Sequence, residues 1–276
     1  MKAALIQLNA GDDPAANLPR TTELIAQAAG QGAGFVLTPE VTNCVSQNRQ
    51  HQMDVLQHED ADQTLKSLRE AAIQHDIWIS IGSLALKTDD VDGRFANRSF
   101  LIDPAGRIVA RYDKIHMFDV TVSDSETYRE SAGYRPGEQA VVADTPFGKL
   151  GLSICYDIRF AYLYRALAQA GAEVLLVPSA FSPVTGAAHW EPLLRARAIE
   201  TGSYVLAAAQ TGTHAAAIGK SRKTYGHAMA VSPWGEVLAD LGPEPGIGLV
   251  DLSSAEVSQS RKRIAALSHD RAFEGP

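Results

Sequence analysis

Cysteine occurs at only two of 276 positions, Cys44 and Cys155, too few for the disulfide framework of a secreted scaffold. Long apolar runs are missing as well. Nothing approaches the ~18 consecutive apolar residues that cross a bilayer, so no membrane role is expected. The opening MKAALIQLNAG has one lysine and a short apolar run that ends in Gly-Asp-Asp, without the core or cleavage pattern of a signal peptide. Basic stripes are also lacking: the formal net charge is -7, and the tightest basic group, Lys220, Arg222 and Lys223, is too small to track a phosphate backbone. Nucleic acid is therefore not an expected partner. No Pro-, Gly- or Ser-rich linker and no low-complexity segment divides the chain, so residues 1–276 are expected to form a single domain. The histidines show no H-x-x-x-H or carboxylate-rich spacing, so no metal is expected. The glycine run GQGAG (30–34) precedes its strand where a dinucleotide loop would follow one, so no cofactor is expected. These absences describe a reduced, soluble, cytoplasmic protein.

What is present is an α/β pattern. Short apolar runs alternate with stretches of helical period. Strands are expected at 2–9, 34–40, 78–86, 173–178, 204–210, 226–232, 235–240 and 247–252, and helices at about 18–30, 61–74, 159–170 and 188–201. Two hairpins are expected, one over 97–114 around Pro-Ala-Gly and one over 140–157 turned at Phe147-Gly148-Lys149. Residues 115–140 are polar and irregular, much longer than a usual connection of ~4–6 residues, which marks a functional loop. GAGFVLTPE (32–40) echoes GAEVLLVPSA (171–180), and DPAGRIVA (103–110) echoes SPWGEVLA (232–239). Matching order in the two halves predicts two similar half-folds whose sheets stack.

The strongest local signal is LGLSICYDIRF (150–160). An apolar strand runs into Cys155 and a helix follows, a strand-to-helix elbow that lifts a nucleophile above the sheet edge. Such a turn offers free N–H groups and favours a thiolate. The serine signature G-x-S-x-G fails here, because Ile154 and Cys155 follow Ser153. Taken alone, Cys155 reads first as a small buried hydrophobe. Glu40 changes that balance, since it ends the apolar run FVLTP at a strand terminus, where α/β enzymes place their sites. A carboxylate with a pKa raised by a dry pocket could deprotonate the thiol; its plainer reading is a solvated acid. Lys114 closes the strand before the long loop and could stabilise an oxyanion, with the Tyr156 N–H as a second donor. By itself it reads as a surface lysine. Arg159 could hold a substrate carboxylate bidentately, or pair with Asp157. Arg195 and Arg197 lie in a helix with acidic partners at Glu191 and Glu200, and are expected to be structural.

Thr38-Pro39-Glu40, R-Y-D-K-I-H (111–116) and G-L-S-I-C-Y-D-I-R-F (151–160) together resemble the three motifs of the nitrilase superfamily, in that family's order. The likeness runs from about residue 2 to about residue 270. It implies a four-layer α-β-β-α sandwich and a homodimer or larger homo-oligomer. It implies Glu40 as general base, Cys155 as nucleophile and Lys114 as oxyanion stabiliser. Glu130, in Y-R-E-S-A-G-Y-R-P-G (128–137), matches a second glutamate that would hold Lys114. The segments 177–181, 185–191 and 193–200 resemble the branch that cleaves amides of 2-oxoglutarate, with Arg159, Phe181 and Thr185 around the oxo acid. Within it, P-S-A-F (178–181), A-A-A-Q-T-G-T-H (207–214) and Y-G-H-A-M (225–229) look closer to members acting on deaminated glutathione than to those acting on 2-oxoglutaramate. The stretch 119–131 departs from the animal members, which leaves the loop's part in specificity open. By charge and place, Lys220, Arg222 and Lys223 read first as a solvated turn, and otherwise as a group that would meet the distal carboxylate of such a substrate.

Overall fold

The computed structural model describes residues 1–123 and 126–275, and counts and absences refer to these. Within the stretch 119–131, residues 124 and 125 lie outside the described residues.

Strand β1 (Lys2–Gln7) shows how the architecture follows from the sequence. Ala3 and Leu5 point to one side, and Ala4 and Ile6 to the other, as the two-residue period of a strand requires. Both sides are apolar because β1 is covered twice, which is the state of strands in parallel sheets. Next to it lie β2 (Phe35–Leu37), β3 (Trp78–Leu86), β4 (Ala96–Ile102) and β5 (Ile108–Asp113), with β16 (Gly246–Asp251) closing the other edge. The order of this sheet is β16-β1-β2-β3-β4-β5. The second sheet contains β8 (Val141–Thr145), β9 (Gly148–Leu152), β10 (Val174–Leu176), β11 (Tyr204–Ala207), β14 (Met229–Val231) and β15 (Val237–Asp240). Its order, β8-β9-β10-β11-β14-β15, repeats the first strand for strand. Pair directions match too: β1-β2-β3 and β9-β10-β11 are parallel, and the flanking pairs are antiparallel. The echoed segments fall on equivalent places, β2 with β10 and the β4–β5 turn with the β14–β15 turn.

The inner faces of the sheets meet directly. Leu5, Phe35 and Leu37 share a buried cluster with Leu150, Leu152, Val174 and Leu176. Helices α1 (Pro14–Gly30) and α3 (Gln63–His75) cover the outside of the first sheet through Leu24, Ile25, Leu65 and Leu68. Helices α4 (Ala161–Gln169) and α5 (Pro183–Thr201) cover the second through Leu163, Leu167, Trp190 and Leu194. The result is the four-layer α-β-β-α sandwich. Gly82 in β3 lets the halves touch at their strand ends: a Cβ there would lie 2.0 Å from Thr38 O and 2.4 Å from Pro178 Cβ.

Several boundaries differ from expectation. Helix α1 starts at residue 14 rather than 18, because Asp13 accepts hydrogen bonds from the Ala15 and Ala16 N–H groups and Pro14 takes the first helical position. Helix α5 likewise begins at Pro183, well before 188. The helix expected from 159 is two pieces, a 3-10 turn over Cys155–Arg159 and then α4. The loop 115–140 carries a hairpin, β6 (Asp119–Ser123) with β7 (Glu126–Arg129). Helices α2 (Arg49–Val55) and α6 (Ser254–Arg263) had no apolar period to reveal them: each buries a single side chain, Gln52 and Val257.

Candidate active site

Four strand ends converge at one edge of the sandwich: β2, β5, β9 and β10. After Leu37, Pro39 has no N–H to continue the ladder, and the chain turns through Val41 at φ 46°. That turn leaves Glu40 facing inward and 3% exposed. A charge so buried must be paired. Its Oε1 accepts from Lys114 Nζ and from Asn97 Nδ2, each at 2.9 Å, and its Oε2 accepts from Ala180 N at 2.8 Å. Burial pushes the Glu40 carboxyl up, but Lys114 and then Arg222, with the hydrogen bonds, more than offset it and hold Glu40 below the usual carboxylate range. The raised value expected from a dry pocket is therefore corrected: Glu40 is buried, but two cations, Lys114 and Arg222, act on it.

Lys114, one residue beyond β5, is 2% exposed. Besides Glu40, its ammonium reaches both oxygens of Glu130, at 2.9 and 2.8 Å. Glu130 in turn accepts from Phe118 N at 2.6 Å. Burial alone would lower the lysine; Glu130 and Glu40 outweigh it and hold it charged, well above its ordinary value.

Cys155 has φ 49°, a left-handed conformation that costs a residue with a Cβ about 1–2 kcal/mol. Its N–H donates to Pro178 O at 2.9 Å, which fixes the elbow to the end of β10. Asp157 locks the other side by accepting from Ile154 N at 2.9 Å. The N–H of Tyr156 has no acceptor among the described residues. The thiol borders Glu40, Lys114 and the Ala180 N–H; burial, then the Glu40 charge, push it well up. The expected thiolate is corrected accordingly, since burial outweighs a turn this short. At rest the pair is a neutral thiol beside a carboxylate. That arrangement suits proton transfer from sulfur during attack on a carbonyl, with Tyr156 N–H and Lys114 nearby as donors.

Glu40, Lys114, Glu130, Cys155, Tyr156, Phe181 and Thr185 all line one cavity of about 430 Å3, a size suited to a small metabolite. Arg159 does not line it. Its guanidinium stacks at 5.8 Å over Tyr156 and 5.5 Å over Phe181, and contacts His189 Nδ1 at 3.3 Å. The alternative pairing with Asp157 does not form, because Asp157 is taken by Tyr112, His116 and the Ile154 N–H. Arg195 and Arg197 pair with Glu191 and Glu200. Cys44 also lines the cavity, but it is fully buried, and burial, followed by Asp12 and Asp13, pushes its thiol up to about 12. Asn97 and Arg222 belong to the cavity too, and motif spacing did not single out Asn97, the second residue of β4.

Known proteins carry the same chain plan. A Yersinia enterocolitica protein named deaminated glutathione amidase is 40% identical over 97% of this chain and 92% of its own. Saccharomyces cerevisiae Nit3, described as a member of branch 10 of the nitrilase superfamily, superposes with a TM-score of 0.85 at 28% identity, covering 99% of this chain and 97% of that one. A mutant of the Nesterenkonia sp. AN1 amidase, whose structure shows the result of Michael addition of acrylamide at its active-site cysteine, superposes with a TM-score of 0.77 at 29% identity, over 96% and 98% of the two chains. The family model for carbon-nitrogen hydrolases matches residues 2–262, so the chain belongs to that family, within the nitrilase superfamily, and is an enzyme that cleaves amide C–N bonds.

Proposed function

We propose that the protein hydrolyses deaminated glutathione to 2-oxoglutarate and cysteinylglycine through a thioester on Cys155. The chemistry rests on one observation: a thiol, a carboxylate and an ammonium are buried together beside an N–H without an acceptor. Cys155 sulfur attacks the amide carbon while Glu40 takes the thiol proton. Glu40 passes that proton to the departing amine, and the C–N bond breaks. Water then attacks the thioester, Glu40 takes its proton, and the proton returns to sulfur as the acid leaves. The Tyr156 N–H and Lys114 stabilise the oxyanion in both steps. Glu130 holds Lys114, and Phe181 and Thr185 wall the acyl side, with Arg159 stacked on Phe181 outside the cavity and supporting that wall.

The substrate is supported by the Yersinia relative's name at 40% identity over nearly the whole of both chains. The cavity also has room for more than the small 2-oxoglutaramate molecule. A homodimer is proposed on the family resemblance, and light scattering on the purified protein tests it. For the substrate, kcat/KM is compared on deaminated glutathione and 2-oxoglutaramate. Preference for 2-oxoglutaramate by orders of magnitude would replace this reading with an omega-amidase. Cys155→Ala is expected to lose at least about a thousandfold in rate and keep its thermal midpoint. A variant that retains activity removes sulfur from the mechanism.

A further inference from the structure

Lys220, Arg222 and Lys223 do not act together in the structure. Lys220 and Lys223 are exposed, whereas Arg222 lines the catalytic cavity. Its backbone is held in place: Arg222 O accepts from His214 N at 2.9 Å. The His214 ring is itself fixed between Ala10 O and Thr224 Oγ1, both at 2.7 Å. One Nη of Arg222 donates to Ala180 O at 2.6 Å. Its Nε is buried without a hydrogen-bond partner, and no carboxylate lies within ion-pair distance among the described residues. Arg98 shows what such a fork does when satisfied: its Nε and Nη2 grip both oxygens of Asp113 at 2.6 and 2.9 Å. Arg222, which lines the cavity, has the same fork only half engaged.

Ala180 ties Arg222 to the catalytic carboxylate. Ala180 accepts from Arg222 through its carbonyl and donates to Glu40 Oε2 through its N–H. Arg222 is therefore joined to Glu40 through one residue, and on the mechanism proposed above Glu40 hands a proton to the departing amine.

We propose that Arg222 is a specificity residue that binds a carboxylate on the amine half of the amide, through guanidinium N–H groups that Ala180 leaves free. On the function proposed above, this is the terminal glycine carboxylate of deaminated glutathione. The two neighbouring lysines take no part. Arg222 could instead act only through Glu40, whose charge it faces, and the test separates the two roles.

The test uses the full chain, wild type and as Arg222→Met and Arg222→Lys, on deaminated glutathione and on its analogue with the terminal carboxylate converted to a carboxamide. Wild type is expected to favour the acid at least about tenfold in kcat/KM, the scale of a charge-assisted hydrogen bond, with the difference in KM. In Arg222→Met that preference collapses toward one. In Arg222→Lys it is only partly kept, since an ammonium restores charge but not the fork. Equal losses on both substrates, with the acid limb of the pH profile moved upward, overturn the assignment and make Arg222 a positioning residue for Glu40. A wild type indifferent to the carboxylate also overturns it, while leaving the amidase intact. Turnover of 2-oxoglutaramate with none of either peptide overturns the substrate reading, and the assignment falls with it. Thermal midpoints accompany each assay; if Arg222→Met does not fold, the wild-type ratio and Arg222→Lys decide.

Discussion

Lys114 has three N–H donors, and its recorded contacts engage them with carboxylate oxygens of Glu40 and Glu130. An oxyanion therefore draws on Lys114 only by sharing or displacing one of these bonds, whereas the Tyr156 N–H is ready at rest. Lys114→Met leaves two carboxylates buried without their cation. The expected outcome is loss of turnover together with about 3–5 kcal/mol of stability, the cost of breaking a buried pair, read from urea midpoints. An unchanged midpoint would show that the carboxylates find other partners. The same charges set the pH response. Glu40 is held low, so its stabilising contribution is fully present above its unfolded pKa of about 4.5 and is lost as pH falls through the lower folded value. Lys114 is held high, so its contribution is present below about 10.5 and lost as pH rises through the folded value. Because the thiol is raised and works undissociated, kcat/KM is expected to stay level from about pH 5 to about pH 9. A rise near pH 8.5, where an ordinary thiol ionises, would mean that a preformed thiolate is the reacting species.

At the scale of elements, the site depends on ties between strand ends, and Asp157 makes the densest one. It is fully buried and accepts from Ile154 N at 2.9 Å, Tyr112 Oη at 2.6 Å, and His116 N and Nδ1 at 3.0 and 2.7 Å. It therefore links the elbow after β9 to the exit of β5, where Lys114 sits. Asp157→Ala leaves these donors buried and unpaired, which is expected to cost about 3–5 kcal/mol and to lower kcat more than it raises KM. A loss seen only in KM would place Asp157 in binding instead. The sequence marked the strand ends bearing Glu40, Lys114 and Cys155, because apolar runs stopping at a polar residue are local patterns. It left open which way Arg159 turns. That depends on the rings of Tyr156 and Phe181, the latter more than twenty residues further along the chain. The hairpin inside 115–140 was hidden for another reason: its strands are short and bury none of the side chains described, and its anchors are Glu130 under Lys114 and Phe118 against Tyr128 and Tyr156.

At the scale of the molecule, two similar halves are interlocked instead of merely adjoining. Strand β16, from the end of the chain, pairs with β1 from Lys2↔Asp251 to Gln7↔Gly246. A fragment of residues 1–139 loses that partner and exposes the inner face bearing Leu5, Phe35 and Leu37. It is expected to stay unfolded or aggregate, and the full chain to unfold in one transition, with near- and far-ultraviolet circular dichroism coinciding. A fragment with its own sharp transition would show that the halves are separate domains.

The alternation of apolar strands with helices, the echo between the halves and the placement of Glu40, Lys114 and Cys155 at strand ends were determined by the sequence alone, since each is a short-range pattern. The tertiary structure decided the protonation states and the composition of the cavity wall. Burial turned the expected thiolate into a thiol. Two cations turned the expected raised carboxyl into a lowered one. Arg222, far along the chain from Glu40, entered the site while its neighbours Lys220 and Lys223 stayed in solvent. Such outcomes depend on charges brought together across the chain, and no local pattern records those distances.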